Sequence, residues 1–230
     1  MATQTFDSTD EMDAVLTAII QSPKLPEYAR RLEGVLRAEQ EKRRQFHERL
    51  ETYEGRKVEF INGNEVVHMP ARLDHVDILT LLLRLISTFV DLKQLGFVGS
   101  EKVHLVLERN DYEPDICFFG KAKANLLTRK QLNFPAPDFV VEILSPSTQK
   151  LDRKEKFADY EASGIAEYWI IDPDEETVEQ FVLREGKYVL NVKARTGVLE
   201  SEAITGFVIP VRAVFDAQEN LQALQKILAP

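Results

Sequence analysis

The order of elements written into this chain predicts an α/β fold, a mixed β-sheet flanked by helices and preceded by an N-terminal helical extension. Three observations carry the reading. Asn62-Gly63 sits between two alternating segments. An amphipathic stretch over 74–92 is followed by a succession of short apolar runs. A second helical stretch over 151–162 separates two groups of such runs.

Taken in order, residues 1–13 are polar and acidic and read as disordered. A short helical pattern over 14–20 is broken at Ser22-Pro23 and Pro26. Residues 28–53 read as one charged helix with a thin apolar stripe of Leu32, Val35, Leu36, Phe46 and Leu50. We divide the chain into an extension, 1–40, and a main domain, 41–230. The stripe on the extension needs cover, which a homodimer would supply. Strands at 57–61 and 65–69 flank Asn62-Gly63-Asn64, a strong hairpin signal. The helix over 74–92 is apolar at Val76, Leu79, Leu82, Leu83, Ile86, Phe89 and Val90. Strands are expected at 97–100, 102–108, 115–119 and 139–144. The helix over 151–162 stops at Ser163-Gly164, where glycine supplies the left-handed cap. Strands at 167–171, 177–183 and 188–192 follow, with Asp172-Pro173-Asp174 as a turn.

The 230 residues, 44% of them hydrophobic, suffice for one core. No apolar run approaches the roughly 20 residues that span a bilayer, and the N-terminus lacks the basic start and apolar centre of a signal peptide. A cytoplasmic protein with no membrane partner is the expectation. The single cysteine, Cys117, lies in an apolar strand and reads as a buried small hydrophobe. A formal charge of -9 argues against a chain that coats nucleic acid nonspecifically, since phosphate neutralisation needs clustered Lys and Arg. It leaves room for local basic patches at 121–123, 129–130 and 150–156.

The chemistry concentrates in 138–160. Period-2 alternation puts Asp138, Val140, Glu142 and Leu144 on one side of a strand and Phe139, Val141 and Ile143 on the other, so an acid projects from an apolar strand. Burying a carboxylate costs several kcal/mol unless a cation compensates. Asp115, behind Pro114 at the start of another apolar strand, can meet Glu142 from a neighbouring position. Asp152, Lys156 and Tyr160 are spaced by four and share a helix face; Lys154 points nearly opposite. Two converging carboxylates with an amine suggest a divalent-metal site for phosphodiester hydrolysis. The bland alternative is a helical Asp–Lys pair worth about half a kcal/mol at a surface. His75 and Glu65 are further candidates, each without a partner at ligand spacing. Ser145 has no G-x-S-x-G around it, which argues against a serine hydrolase.

Several blocks fall in one order: the N-G hairpin, P-A-R-L-D-H ending at His75, E-P-D-I at 113–116, V-E-I-L-S-P-S-T at 141–148, D-x-x-x-K-x-x-x-Y from Asp152 to Tyr160, and E-Y-W-I-I-D-P at 167–173. In these the chain resembles the putative restriction endonuclease family of the PD-(D/E)XK nuclease superfamily, over about residues 54–215. The resemblance implies a restriction endonuclease-like sheet and a DNA endonuclease that uses Mg²⁺, with Mn²⁺ as a substitute. Asp115, Glu142 and the main-chain carbonyl of Ile143 would hold the metal, and Lys156 would aid the attacking water. The superfamily pattern expects lysine at position 144, where this chain has Leu144; in the resembling family the lysine sits on the following helix, which gives its role to Lys156. The family also places histidine at the position of His75, and in related nucleases an acid ahead of the first conserved strand, here Glu65, helps hold the metal. The competing reading is a binding or assembly protein that keeps the fold without the chemistry.

Overall fold

The computed structural model describes residues 9–53 and 55–229. Of the stretch expected to be disordered, residues 1–8 lie outside the described residues. Thr9 already opens a helix, so the irregular stretch does not extend to residue 13. The chain divides into two compact units, one of residues up to Thr52 together with Asn62–Asn64, the other holding Tyr53–Ile61 and the chain from Glu65 onward.

The first unit is a pair of helices, α1 (Thr9–Gln21) and α2 (Leu25–Glu48). Pro26 sits in the first turn of α2, where its missing N–H costs nothing. The helix expected to reach residue 53 ends at Glu48, and a 3₁₀ turn covers Leu50–Tyr53. Leu32, Val35 and Leu36 stay exposed on α2.

After the helical pair comes the hairpin β1 (Val58–Ile61) and β2 (Asn64–Val67), joined through Asn62 and Gly63 at φ 50° and 77°, the left-handed pair that a tight hairpin turn requires; apart from Asn62–Asn64 it belongs to the second unit. There follow α3 (Leu73–Lys93), β3 (Gly96–Ser100), β4 (His104–Val106), β5 (Asp111–Tyr112), β6 (Ile116–Gly120), α4 (Lys121–Ala124), β7 (Asn133–Phe134), β8 (Phe139–Ile143), α5 (Gln149–Arg153) and α6 (Glu155–Ala162). The chain continues through β9 (Glu167–Asp172), β10 (Thr177–Arg184), β11 (Lys187–Ala194), β12 (Val198–Glu200), β13 (Val208–Pro210) and α7 (Ala217–Leu228).

The expected mixed α/β architecture is present: the described residues form a six-stranded sheet, β11-β10-β9-β8-β6-β3, beside a second, five-stranded one, β2-β1-β5-β4-β7, and the two-stranded pair β12-β13. In the larger sheet only β8 and β9 run parallel; the other neighbours are antiparallel. The second sheet was not legible because β5 and β7 are two residues each, too short to carry a period. The first hairpin strand pairs there, Phe60 opposite Asp111.

The alternation read in β8 holds. Phe139, Val141 and Ile143 pack with Leu82, Ile86 and Trp169 on one face of the larger sheet, while Val140 and Leu144 pack with Tyr160, Ile165 and Tyr168 on the other. Glu142 therefore faces α6. The helix expected over 151–162 is in fact two, because Lys154 leaves helical geometry at φ -125°, ψ -79°. Its C-terminus closes as expected: Gly164 at φ 72° lets Ile165 N–H reach Tyr160 O and Gly164 N–H reach Glu161 O, both at 3.1 Å. Helix α7 escaped the sequence reading although Asp216 caps it, its Oδ1 accepting from the N–H groups of Gln218 and Glu219 at 2.9 Å. Among the described residues no helix is long and apolar enough to cross a membrane.

Candidate active site

Strand order brings the candidate acids together. Since β6 and β8 pair with Ile116 opposite Val141, Asp115, one step before β6, comes level with the 142–143 peptide. Its Oδ2 accepts the Ile143 N–H at 2.7 Å, continuing the ladder with a side chain. Glu142 then projects toward α6, where Lys156 Nζ donates to its Oε1 at 3.0 Å and the Tyr160 hydroxyl donates to the same atom at 2.8 Å. Asp152, one turn before Lys156, places Oδ1 3.4 Å from that ammonium. The break at Lys154 does not part this pair, and Lys154 itself is exposed, as its place on the helical wheel indicates.

Two participants were missed. Glu59, fully buried on β1, receives Lys156 Nζ at 3.0 Å and His68 Nε2 at 2.8 Å, and its Oε1 accepts the Glu113 N–H at 3.0 Å. Lys57, two residues earlier, donates to Asp115 Oδ1 at 2.7 Å. The acid contributed by the hairpin is thus Glu59. Glu65, the residue read from the sequence, is exposed on β2 and takes a hydrogen bond from the Tyr53 hydroxyl at 2.5 Å. The signal was present: in 57–61 the alternation sets Lys57, Glu59 and Ile61 on one face, an acid in an apolar strand as at Glu142. His75, at the start of α3, brings Nε2 to 3.5 Å from Asp115 Oδ1.

The group therefore holds four buried carboxylates, Glu59, Asp115, Glu142 and Asp152, against the ammonium groups of Lys57 and Lys156. Burial, reinforced by Asp152 and Asp115 and only partly offset by Lys156, pushes the Glu142 carboxyl up to about 8. A proton is held where the acids outnumber their cations. Burial raises Asp152 as well. Burial acts the same way on Glu59 and Asp115 but is overridden there: Lys156 and His68 hold Glu59 down at about 2, and Lys57 and His75 hold Asp115 well below the carboxylate range. The carboxylates surrounding Lys156 outweigh its burial and keep it firmly charged.

The cluster forms one wall of a cleft of about 810 Å³, lined also by Arg56, Arg72 and the Ser145–Thr148 turn. The donor set suits a hard divalent cation, which takes carboxylate and carbonyl oxygens. Asp152, a residue 1% exposed, is only loosely partnered for a buried carboxylate: its Oδ1 lies 3.4 Å from the Lys156 ammonium, and Lys156 and Thr148 only partly offset the burial that raises it.

The family profile described as "Uma2: Putative restriction endonuclease" matches residues 43–212. The chain belongs to this family. A crystal structure described as that of "a putative nuclease belonging to DUF820 from Anabaena variabilis ATCC 29413" superposes with a TM-score of 0.60 at 19% identity, covering 69% of this chain and 89% of that one. At that identity the likeness establishes the shared nuclease fold and leaves the chemistry to the site. No curated protein matches the chain. Membership of the Uma2 family supports a nuclease-like function for the chain.

Proposed function

We propose that this chain is a cytoplasmic Mg²⁺-dependent DNA endonuclease, with Mn²⁺ as an alternative ion. Asp115, Glu142 and the main-chain carbonyl of Ile143 would hold the ion in this reading, with Asp152 a further acid of the same cluster. What carries it is the convergence of Lys156 and Tyr160 on Glu142 within a cluster of four buried carboxylates. A bound divalent ion supplies Lewis acidity at a phosphoryl oxygen and lowers the pKa of a coordinated water. The chain's own residues do the rest. Lys156, held by three acids, presents a fixed positive charge where negative charge develops on the phosphate. Tyr160 fixes the rotamer of Glu142 through Oε1. Arg56 and Arg72 on the cleft wall offer charge to a nucleic-acid backbone.

The test is cleavage of plasmid DNA in Mg²⁺ with and without chelator, alongside calorimetric titration of Mg²⁺. Metal-dependent cutting that Glu142→Gln abolishes is the expected result. Absence of both binding heat and cutting would instead support the second reading, a binding or assembly protein in which Lys57 and Lys156 are the permanent partners of the acids. The exposed Leu32, Val35 and Leu36 on α2 support a homodimer made through the helical pair.

A further inference from the structure

We propose that Lys57 is the resident countercation of the acid cluster, occupying the Asp115 oxygen that a divalent ion must take, and thereby sets the metal affinity of the site. The inference rests on the reading that Asp115 is a metal ligand. It starts from the two oxygens of that residue. Oδ2 is committed to the Ile143 N–H at 2.7 Å, a bond that holds two strands in register. Oδ1 receives Lys57 Nζ at 2.7 Å, with His75 Nε2 at 3.5 Å. A cation coordinated by Asp115 at Oδ1, the oxygen not engaged in the strand contact, competes with that ammonium. Mg²⁺ requires near-octahedral oxygen ligation at short range and repels a positive charge at that distance.

The two lysines of the cluster are not equivalent. Lys156 is 1% exposed along its side chain and is enclosed by Glu59, Glu142 and Asp152. Lys57 is 20% exposed, precedes β1 rather than lying within it, and lines the cleft. Its flexible four-carbon stem lets the ammonium rehydrate in the cleft once displaced, which suits lysine and would not suit a guanidinium locked on a carboxylate. Lys156 is thus the fixed charge and Lys57 the exchangeable one. With Lys57 in place on Asp115 the acids can remain buried before metal arrives, so the apo protein folds at some cost in ion affinity.

Titrating Mg²⁺ calorimetrically into the full chain, its Lys57→Gln variant and its Lys57→Met variant tests this. Gln keeps a hydrogen bond to Asp115 and guards against a Met variant that fails to fold. Both variants should bind Mg²⁺ at least about tenfold more tightly than wild type, and Mg²⁺ should raise their Tm by more. Binding by the variants where wild type shows none supports the assignment most strongly. Wild-type and variant dissociation constants equal within about twofold, or weaker binding by the variants, would overturn the role of Lys57 while leaving the metal site standing. No heat and no Tm rise in any of the three proteins would overturn the metal reading itself, and this assignment with it.

Discussion

Glu167 and Glu142 lie on adjacent strands of the larger sheet, both buried, and the chain treats them in opposite ways. Glu167 is surrounded by neutral donors: Trp169 Nε1 at 2.5 Å and Gln180 Nε2 at 2.7 Å on Oε1, then Ser201 Oγ at 2.7 Å and the N–H groups of Glu202 and Ala203 at 2.9 and 2.8 Å on Oε2. Glu142 has Lys156 and Tyr160 on one oxygen and three other acids nearby. The first is a pin, its lone pairs filled by fixed dipoles that tie β9 to the 201–203 turn. The second is short of positive charge. A buried acid by itself signals nothing about function; the crowding of like charges distinguishes the two.

The largest expected effect tests that distinction directly. Glu167→Ala strands several buried donors and should cost more than about 3 kcal/mol in denaturant unfolding. Glu142→Gln removes a charge from a crowd of like charges, so the metal-free protein should hold or gain stability at about pH 8 while losing Mg²⁺ binding. A Glu142→Gln protein that unfolds as readily as Glu167→Ala would erase the contrast. Lys156→Met comes next: it should lower cleavage by about 100-fold or more and destabilise the apo protein, because three acids lose their fixed cation. Lys154→Ala, on the exposed side, should change stability by less than about 0.5 kcal/mol and leave cleavage alone. Equal cutting by wild type and Lys156→Met would remove the lysine from the reaction.

A smaller effect is expected with pH. Glu142, raised from 4.5 to about 8, keeps its proton in the folded protein across that window while the unfolded chain loses it, so metal-free stability should fall as pH rises from about 5 to 8. Glu59 runs the other way. Held down at about 2 against 4.5 unfolded, it contributes stability above 4.5 that is lost as pH falls toward 2. Thermal melts at about pH 6 and pH 8.5, with and without Mg²⁺, read the first effect; saturating Mg²⁺ should flatten the fall. A flat metal-free profile would mean that Glu142 is ionised throughout. The smallest change in fold stability should come from Leu32→Glu with Leu36→Glu on α2, within about 0.5 kcal/mol since both are exposed, while light scattering should show a halved mass if the helical pair makes the dimer.

Much of this was legible because period and turn chemistry are local. Asn62-Gly63 fixed the hairpin, the alternation in 138–144 sorted Phe139, Val141 and Ile143 from Glu142, and the spacing from Asp152 to Tyr160 gave the helix face. What stayed hidden depends on partners distant in sequence. β5 is recognisable only through its pairing with β1 and β4. The contact of Lys57 with Asp115 spans 58 residues. Glu59 obeys the same rule that singles out Glu142, whereas Glu65 rested on the resemblance to related nucleases. Nor could spacing reveal the five donors around Glu167, three of which come from beyond β11.

The amine that meets Glu142 comes from a helix, and this changes how the site can vary over evolutionary time. A lysine on a strand is bound to the pleat: moving it by one residue turns it to the opposite face and empties the site. On a helix the same move rotates the side chain by about 100°, and a four-carbon stem can absorb part of that. Strand position 144 is released from carrying charge, and Leu144 uses the freedom to close the apolar layer beside Ile165 and Tyr168. The sheet end is sealed by one residue and the chemistry served by another, so each can drift without dragging the other along.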